Sequence, residues 1–153
     1  MRTQEVWIAT QRGFTLVETI AVILVLAVLA VTMLPRLEAM RNFDSLAFHD
    51  RVLAAVRYAH KLAIAQNAAV YVVTAGNTLS LCFDDGCVAA VPDPAGDQAL
   101  RLSAPGSTTL SSSVPSFHFD GVGRPSAGSV TFTVGGTPPR IVTVEAETGY
   151  VHP

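Results

Sequence analysis

The sequence has little charge for its length and few of the residues that usually carry chemistry. Only 14% of its 153 residues are charged, and it contains 2 cysteines and 4 histidines. No group of cysteines and histidines has the spacing of a metal site, and no glycine-rich stretch resembles a phosphate-binding loop. The histidines, at positions 49, 60, 118 and 152, stand apart from any nucleophile motif. The sequence therefore predicts no catalytic site, no metal site and no cofactor.

The C-terminal part also lacks the positive charge that nucleic-acid binding requires. Residues 68–153 contain three arginines and seven aspartates or glutamates, a net charge of −4. A protein that follows a phosphate backbone needs the opposite balance. We therefore expect nucleic acid not to be a partner.

One uninterrupted apolar run dominates the N-terminal part. Residues Phe14 to Leu34 read FTLVETIAVILVLAVLAVTML, with Glu18 as the single charge. Because about 20 apolar residues in an α-helix cross a bilayer core, this run predicts a membrane-spanning helix. The competing interpretation is a secretory signal peptide cleaved at Val28-Leu29-Ala30, but the run exceeds the roughly 7–15 apolar residues of such signals. Two arginines lie close to each flank, so the positive-inside rule leaves the orientation open.

Glu18 is the anomaly within this run. A carboxylate deep in a membrane helix costs about 2.5–3.5 kcal/mol, and such groups tend to be functional. One interpretation places Glu18 at the headgroup level, where it costs little. The other gives it a cationic partner: if the chain were cut between Gly13 and Phe14, the new α-amine of a neighbouring subunit would neutralise it. That pairing would also set the stagger of one helix against the next, because an unpaired buried charge is expensive.

The residues around that junction resemble a known signal. The stretch Arg12-Gly13-Phe14-Thr15-Leu16-Val17-Glu18, followed by the apolar run, resembles the class III signal of type IV pilins and pseudopilins. The resemblance implies that a prepilin peptidase cuts after Gly13 and methylates the new N-terminal Phe14, and that Glu18 guides assembly. It also implies other pilin or pseudopilin subunits as partners, and a single-pass location in the bacterial inner membrane with the head in the periplasm.

Helical character is predicted to continue beyond the apolar run. Pro35 predicts a kink rather than an end, because residues 38–66 contain neither glycine nor proline and regain helical periodicity. A helix over 14–66 would be roughly 80 Å long. Its predicted apolar stripe consists of Phe43, Leu46, Leu53, Val56, Ala63 and Ile64. We therefore divide the chain into a leader (1–13), a transmembrane helix (14–34), an amphipathic helix (35–67) and a β-rich head (68–153).

The sequence of the head predicts a series of short strands. Residues 69–74 and 78–83 are predicted to form a hairpin, 130–134 alternates apolar and polar residues, and 141–144 is its expected partner. Shorter strands are expected at 117–119, near 100–102 and at 150–151. The rest of 84–115, including the serines at 111–113, is predicted to be an irregular loop. The predicted fold class is α+β, with one long helix packed on an antiparallel sheet, as in the pilin fold.

Three further segments carry a finer resemblance. They are residues 57–65 (RYAHKLAIA), 117–125 (FHFDGVGRP) and 143–151 (TVEAETGYV). They are similar to minor pilins of the secretion-pseudopilin H group, and within it to those of the MSHA (mannose-sensitive haemagglutinin) pilus of the MshC kind.

The two cysteines lie close together, as Cys82-Phe83-Asp84-Asp85-Gly86-Cys87. In a periplasmic head they are expected to form a disulfide, and two free buried thiols are the alternative. Asp84 and Asp85 alone make a weak case for calcium, and no histidine pair stands near enough in sequence for zinc.

The expected function is that of a minor pilin or pseudopilin, a structural subunit of a type IV (MSHA-like) pilus and not an enzyme. A pseudopilin of a type II secretion system is one alternative. A membrane-anchored periplasmic binding module that never polymerises is the other, and it would retain Met1 rather than begin at a methylated Phe14.

Overall fold

The computed structural model describes residues 15–96 and 98–153, and for residues 32–42 it describes the backbone alone. The chain divides into two units, one ending at Leu37 and the other comprising Glu38–Pro153. The described part contains one helix, α1 (Leu16–Gln66), and eight strands. The strands are β1 (Val70–Ala75), β2 (Thr78–Cys82), β3 (Arg101–Ser103), β4 (Leu110–Ser112), β5 (Ser116–Phe119), β6 (Val130–Val134), β7 (Arg140–Val144) and β8 (Val151–His152).

Both ends of α1 have local causes in the sequence. Thr15 precedes the helix, and its Oγ1 accepts a hydrogen bond from the backbone N–H of Glu18 at 3.2 Å, as an N-cap residue does. At the other end Asn67 has a left-handed φ of 48°. The Asn67 N–H donates to the Ile64 carbonyl and the Ala68 N–H to the Ala63 carbonyl, which is the Schellman arrangement. The predicted continuation of the helix through position 35 is confirmed, whereas the side chain of Pro35 lies outside the description.

The predicted apolar stripe of the second half of α1 is partly wrong. Val56 and Ala63 are buried, but Phe43, Leu46 and Ile64 are exposed. The face that packs on the sheets instead comprises Ser45, Phe48, His49, Val52, Ala55, Val56, Ala59 and Ala63. These positions also recur every three or four residues. Spacing alone allowed two overlapping stripes, and the small alanines favour the observed one because they let the helix approach the sheets closely.

The strands form two antiparallel sheets rather than the single sheet that was predicted. The first has the order β3-β2-β1-β5 and the second the order β4-β6-β7-β8. The hairpin β1–β2 turns at Gly76 and Asn77, where Gly76 has a φ of 56° that glycine adopts without strain. The strand β4, with Ser111 and Ser112 in it, replaces part of the predicted irregular loop and pairs with β6.

The two sheets and the helix share one core. Along β6 the side chains of Val130, Phe132 and Val134 are buried, which confirms the predicted alternation. The ring of Phe117 on β5 lies 5.2 Å from that of Phe119 and 6.2 Å from that of Phe132 in the other sheet. Since Phe48 and Val52 of α1 belong to the same cluster, the core joins all three layers. The fold is therefore α+β, as predicted.

Candidate functional site

The N-terminal part of α1 is the first candidate site. The predicted cleavage residues Gly13 and Phe14 lie outside the described residues. Glu18 lies in the first turn of the helix, where a negative charge is favoured by the helix dipole. Within residues 15–96 and 98–153 its carboxylate forms no ion pair. The sequence Thr15-x-x-Glu18 is that of a capping box, a local signal that the sequence analysis missed.

Glu18 is followed by a run of exposed apolar side chains. All residues from Thr15 to Val31 are exposed, and 11 of them are large apolar residues. A helix that is apolar on every side is usually covered by lipid or by other helices. No helical stretch in the described part of the chain has both the length and the apolarity required to cross a membrane.

The second candidate is the loop closed by the two cysteines. The structure joins Cys82 and Cys87 in a disulfide, with their Cα atoms 5.0 Å apart. Asp84 organises the loop, because its carboxylate accepts hydrogen bonds from the N–H groups of Val88 (3.0 Å) and Ala89 (2.6 Å). These two hydrogen bonds hold the pKa of Asp84 below its usual value, and the bond from Val88 has the largest effect. The carboxylate that was considered for calcium is thus engaged with the backbone of its own loop.

The third candidate is the place where the segments 57–65, 117–125 and 143–151 meet. The ring of His60 on α1 packs edge-on against Phe119 at a centroid distance of 5.3 Å. A methyl group placed on Gly123 would come within 2.6 Å of His60 Nε2, and one on Gly149 within 2.9 Å of His60 Cδ2. The tertiary structure therefore brings together all three segments that carried the finer resemblance.

The other histidines also have structural partners. His49 is buried, and its ring nitrogens face Asp50 Oδ1 at 3.1 Å and the Ile141 carbonyl at 3.3 Å. His118 packs against the ring of Tyr71, with centroids 5.0 Å apart. His152 Nε2 lies 2.9 Å from Glu145 Oε1. The pKa of His152 is raised, and this hydrogen bond is the largest cause.

A polar cavity of about 280 Å³ lies next to the buried Ser45. Its other described lining residues are Ser107, Thr108, Thr109, Gly135, Gly136 and Thr137. Neither a histidine nor a carboxylate occurs among these described lining residues.

The sequence matches two family models. That of the family described as type II transport protein GspH matches residues 50–148, and that of the prokaryotic N-terminal methylation motif matches residues 8–34. The chain belongs to the GspH family, because the first match spans well over half of its length. The GspH match contains His60, Gly123 and strands β1 to β7.

Solved structures of similar fold belong to a minor pilin. The type IV minor pilin FimU of Pseudomonas aeruginosa (strain PAO1), crystallised in space group P21, superposes with a TM-score of 0.57 at 16% identity, over 70% of this chain and 85% of that chain. The same protein in space group P65 gives a TM-score of 0.53 at 17% identity, over 70% of this chain and 90% of that chain. At such identities the likeness shows the pilin fold alone. No curated protein matches the sequence significantly.

Proposed function

We propose that this protein is a minor pilin, a structural subunit of a type IV pilus of the MSHA kind. The observation that carries the proposal is the pilin fold on a chain whose residues 8–34 match an N-terminal methylation motif. The MSHA assignment depends on the likeness of residues 57–65, 117–125 and 143–151 to minor pilins of that pilus. The role is structural rather than enzymatic.

In this proposal a prepilin peptidase cuts between Gly13 and Phe14 in the inner membrane and methylates the α-amine of Phe14. The mature chain is held by residues 14–34, with the head in the periplasm. It is then drawn into a filament in which other pilin subunits cover the exposed apolar side chains of residues 15–31. The α-amine of one subunit and Glu18 of the next neutralise each other, because either charge alone is costly among apolar helices.

Intact-mass and N-terminal peptide analysis of the protein from its native membrane tests the processing. The expected mature chain begins at methylated Phe14, whereas a chain that keeps Met1 and still functions would contradict the proposal and favour a binding module that does not polymerise. Gly13→Ala, which alters the residue before the cut, is expected to leave the leader attached. Leu16→Ala, on the other side of the junction, serves as the control that keeps Gly13 and Phe14.

The role of Glu18 has its own test. Glu18→Ala is expected to leave membrane insertion intact and to reduce the amount of the protein recovered in sheared filaments. Glu18→Asp keeps the charge and is expected to retain part of the incorporation. Normal incorporation of the alanine variant would exclude the proposed pairing with the α-amine.

A pseudopilin of a type II secretion system is the second candidate, and the match to the family described as type II transport protein GspH favours it. Deletion of the gene separates the two candidates. Loss of surface pili with normal secretion of exoproteins supports the pilus assignment. Loss of secretion with intact pili supports the alternative.

A further inference from the structure

A surface with exposed apolar and basic side chains lies at the C-terminal end of α1. Ile64 of the helix is 46% exposed, and Val122 and Tyr150 of the two loops that pack on it are 72% and 60% exposed. A methyl group on Gly123 would come within 2.9 Å of Ile64 Cδ1, so the loop that carries Val122 lies directly against Ile64. Arg57 and Lys61 complete this surface, which we call the basic surface.

The basic surface includes a cleft of about 420 Å³ lined by Arg57, His60, Lys61, Tyr150 and Val151. Arg57 Nε donates a hydrogen bond to the Val151 carbonyl at 3.0 Å, which holds the guanidinium at the cleft. Neither Arg57 nor Lys61 forms an ion pair with any carboxylate in residues 15–96 and 98–153. Tyrosine and arginine beside exposed apolar residues are typical of the energetic centres of protein interfaces.

A complementary surface lies nearer the start of the same unit. Phe43 is 71% exposed, Leu46 is also exposed, and the side chain of Asp50 is 66% exposed. Their spacings of three, four and seven residues place them on one face of α1. We call this the acidic surface. It combines a carboxylate, which can pair with Arg57 and Lys61, with exposed apolar side chains.

We propose that the acidic surface of one copy of this chain docks on the basic surface of a second copy. Asp50 would face Arg57 and Lys61, and Phe43 and Leu46 would cover Ile64 and Tyr150. The contact cannot form within one chain, because Asp50 and Lys61 are 11 residues apart on one helix, about 16 Å along its axis. Complementary charge would select the register and the apolar residues would supply most of the burial.

The contact is independent of the leader and of Glu18, so it goes beyond the proposed function. Because the two surfaces differ, the copies pair in one of two ways. They close as a two-fold dimer in which each surface is used once on each copy, or they continue head to tail.

Carbodiimide cross-linking of the full chain in detergent micelles tests the contact directly. Lys61 is the only lysine in the sequence, so every side-chain amide that forms reports on this position. An equal mixture of ¹⁴N- and ¹⁵N-labelled chains is used to detect amides between copies. The expected product is a pair of peptides joined through Asp50 and Lys61, in which one peptide contains ¹⁴N and the other contains ¹⁵N. Lys61→Arg and Asp50→Asn should each abolish the cross-link, because each removes one of the two reacting groups. Both variants are conservative: the first keeps the positive charge, and the second keeps an oxygen that can face the His49 ring. Cross-links from Lys61 to other carboxylates instead, or none between copies, would overturn the proposal.

Charge reversal gives an independent measurement. Lys61→Glu alone and Asp50→Lys alone are each expected to weaken association at least tenfold in sedimentation equilibrium, and an equal mixture of the two is expected to restore it. Circular dichroism of each variant establishes that it is folded. Association that survives both single reversals would be due to the apolar residues 15–31, and the docking contact would then be wrong. A wild-type chain that stays monomeric at millimolar concentration would be equally decisive against it.

Discussion

The ring of His60 lies edge-on against the ring of Phe119, with an interplanar angle of 71°. Its Nε2 is buried without a hydrogen-bond partner in the described residues. Gly123 and Gly149, which come from different loops, approach this nitrogen so closely that neither position has room for a side chain. The contact ties the C-terminal end of α1 to both loops.

Gly149→Ala is expected to destabilise the head by about 2 kcal/mol or more. The residue has a φ of 62°, and a methyl group there would meet the Gly123 carbonyl as well as His60. Urea unfolding of the full chain in detergent, followed by tyrosine fluorescence, measures the loss.

Substitutions at two other glycines distinguish backbone strain from steric overlap as the cause of that loss of stability. Gly76 has a φ of 56° but open space around it, so Gly76→Ala should cost only the backbone strain of about 1–2 kcal/mol. Gly96 has neither constraint and should change stability by less than about 0.5 kcal/mol on substitution. Equal effects at positions 149 and 76 would mean that His60 and Gly123 do not restrict the site.

The corrected helix face predicts opposite behaviour for two phenylalanines. Phe48→Ala removes a fully buried side chain and is expected to cost about 3–5 kcal/mol. Phe43→Ala removes an exposed one and should change the stability of the isolated chain by about 0.5 kcal/mol or less. Thermal unfolding of the two variants compares them, and a larger loss at Phe43 would restore the stripe predicted from spacing.

Reduction of the Cys82–Cys87 disulfide is expected to destabilise the head by about 2 kcal/mol, because a loop this small restricts the unfolded chain only modestly. Denaturant unfolding with and without dithiothreitol measures the difference. The Cys82→Ala/Cys87→Ala variant is the control, since its stability should not respond to the reductant. An unchanged unfolding midpoint for the reduced wild-type chain would contradict the prediction.

The contact between His152 and Glu145 predicts a pH dependence. Because the pKa of His152 is raised in the folded chain, chiefly by its hydrogen bond with Glu145, the folded state binds its proton more tightly than the unfolded chain does. The stabilisation is fully present below the unfolded pKa of about 6.5 and is lost as the pH rises through the folded pKa. An NMR titration of the His152 ring should therefore give a midpoint above 6.5, and Glu145→Gln should lower it. A midpoint that is the same in both proteins would exclude Glu145 as the cause.

Local patterns in the sequence were sufficient for much of the fold. The end of α1 at Asn67, the β1–β2 hairpin and the alternation along β6 each depend on neighbouring residues, through capping, a glycine turn and strand pleating. The capping box at Thr15 and Glu18 was equally readable and was overlooked. The family likeness also came from short motifs, and the match over residues 50–148 agrees with its H-group part.

Features that depend on tertiary packing could not be predicted from local sequence patterns. Phe43 and Val56 are both apolar and both fit a helical period, and only the position of the sheets decides that Val56 is buried. Leu110–Ser112 has the composition of a loop and becomes a strand because β6 offers it an unpaired edge. His60, Gly123 and Gly149 are far apart in sequence and meet only in the folded head. The sequence by itself determined the local elements, since their causes lie within a few residues, whereas tertiary structure decided which faces meet, since that depends on long-range contacts.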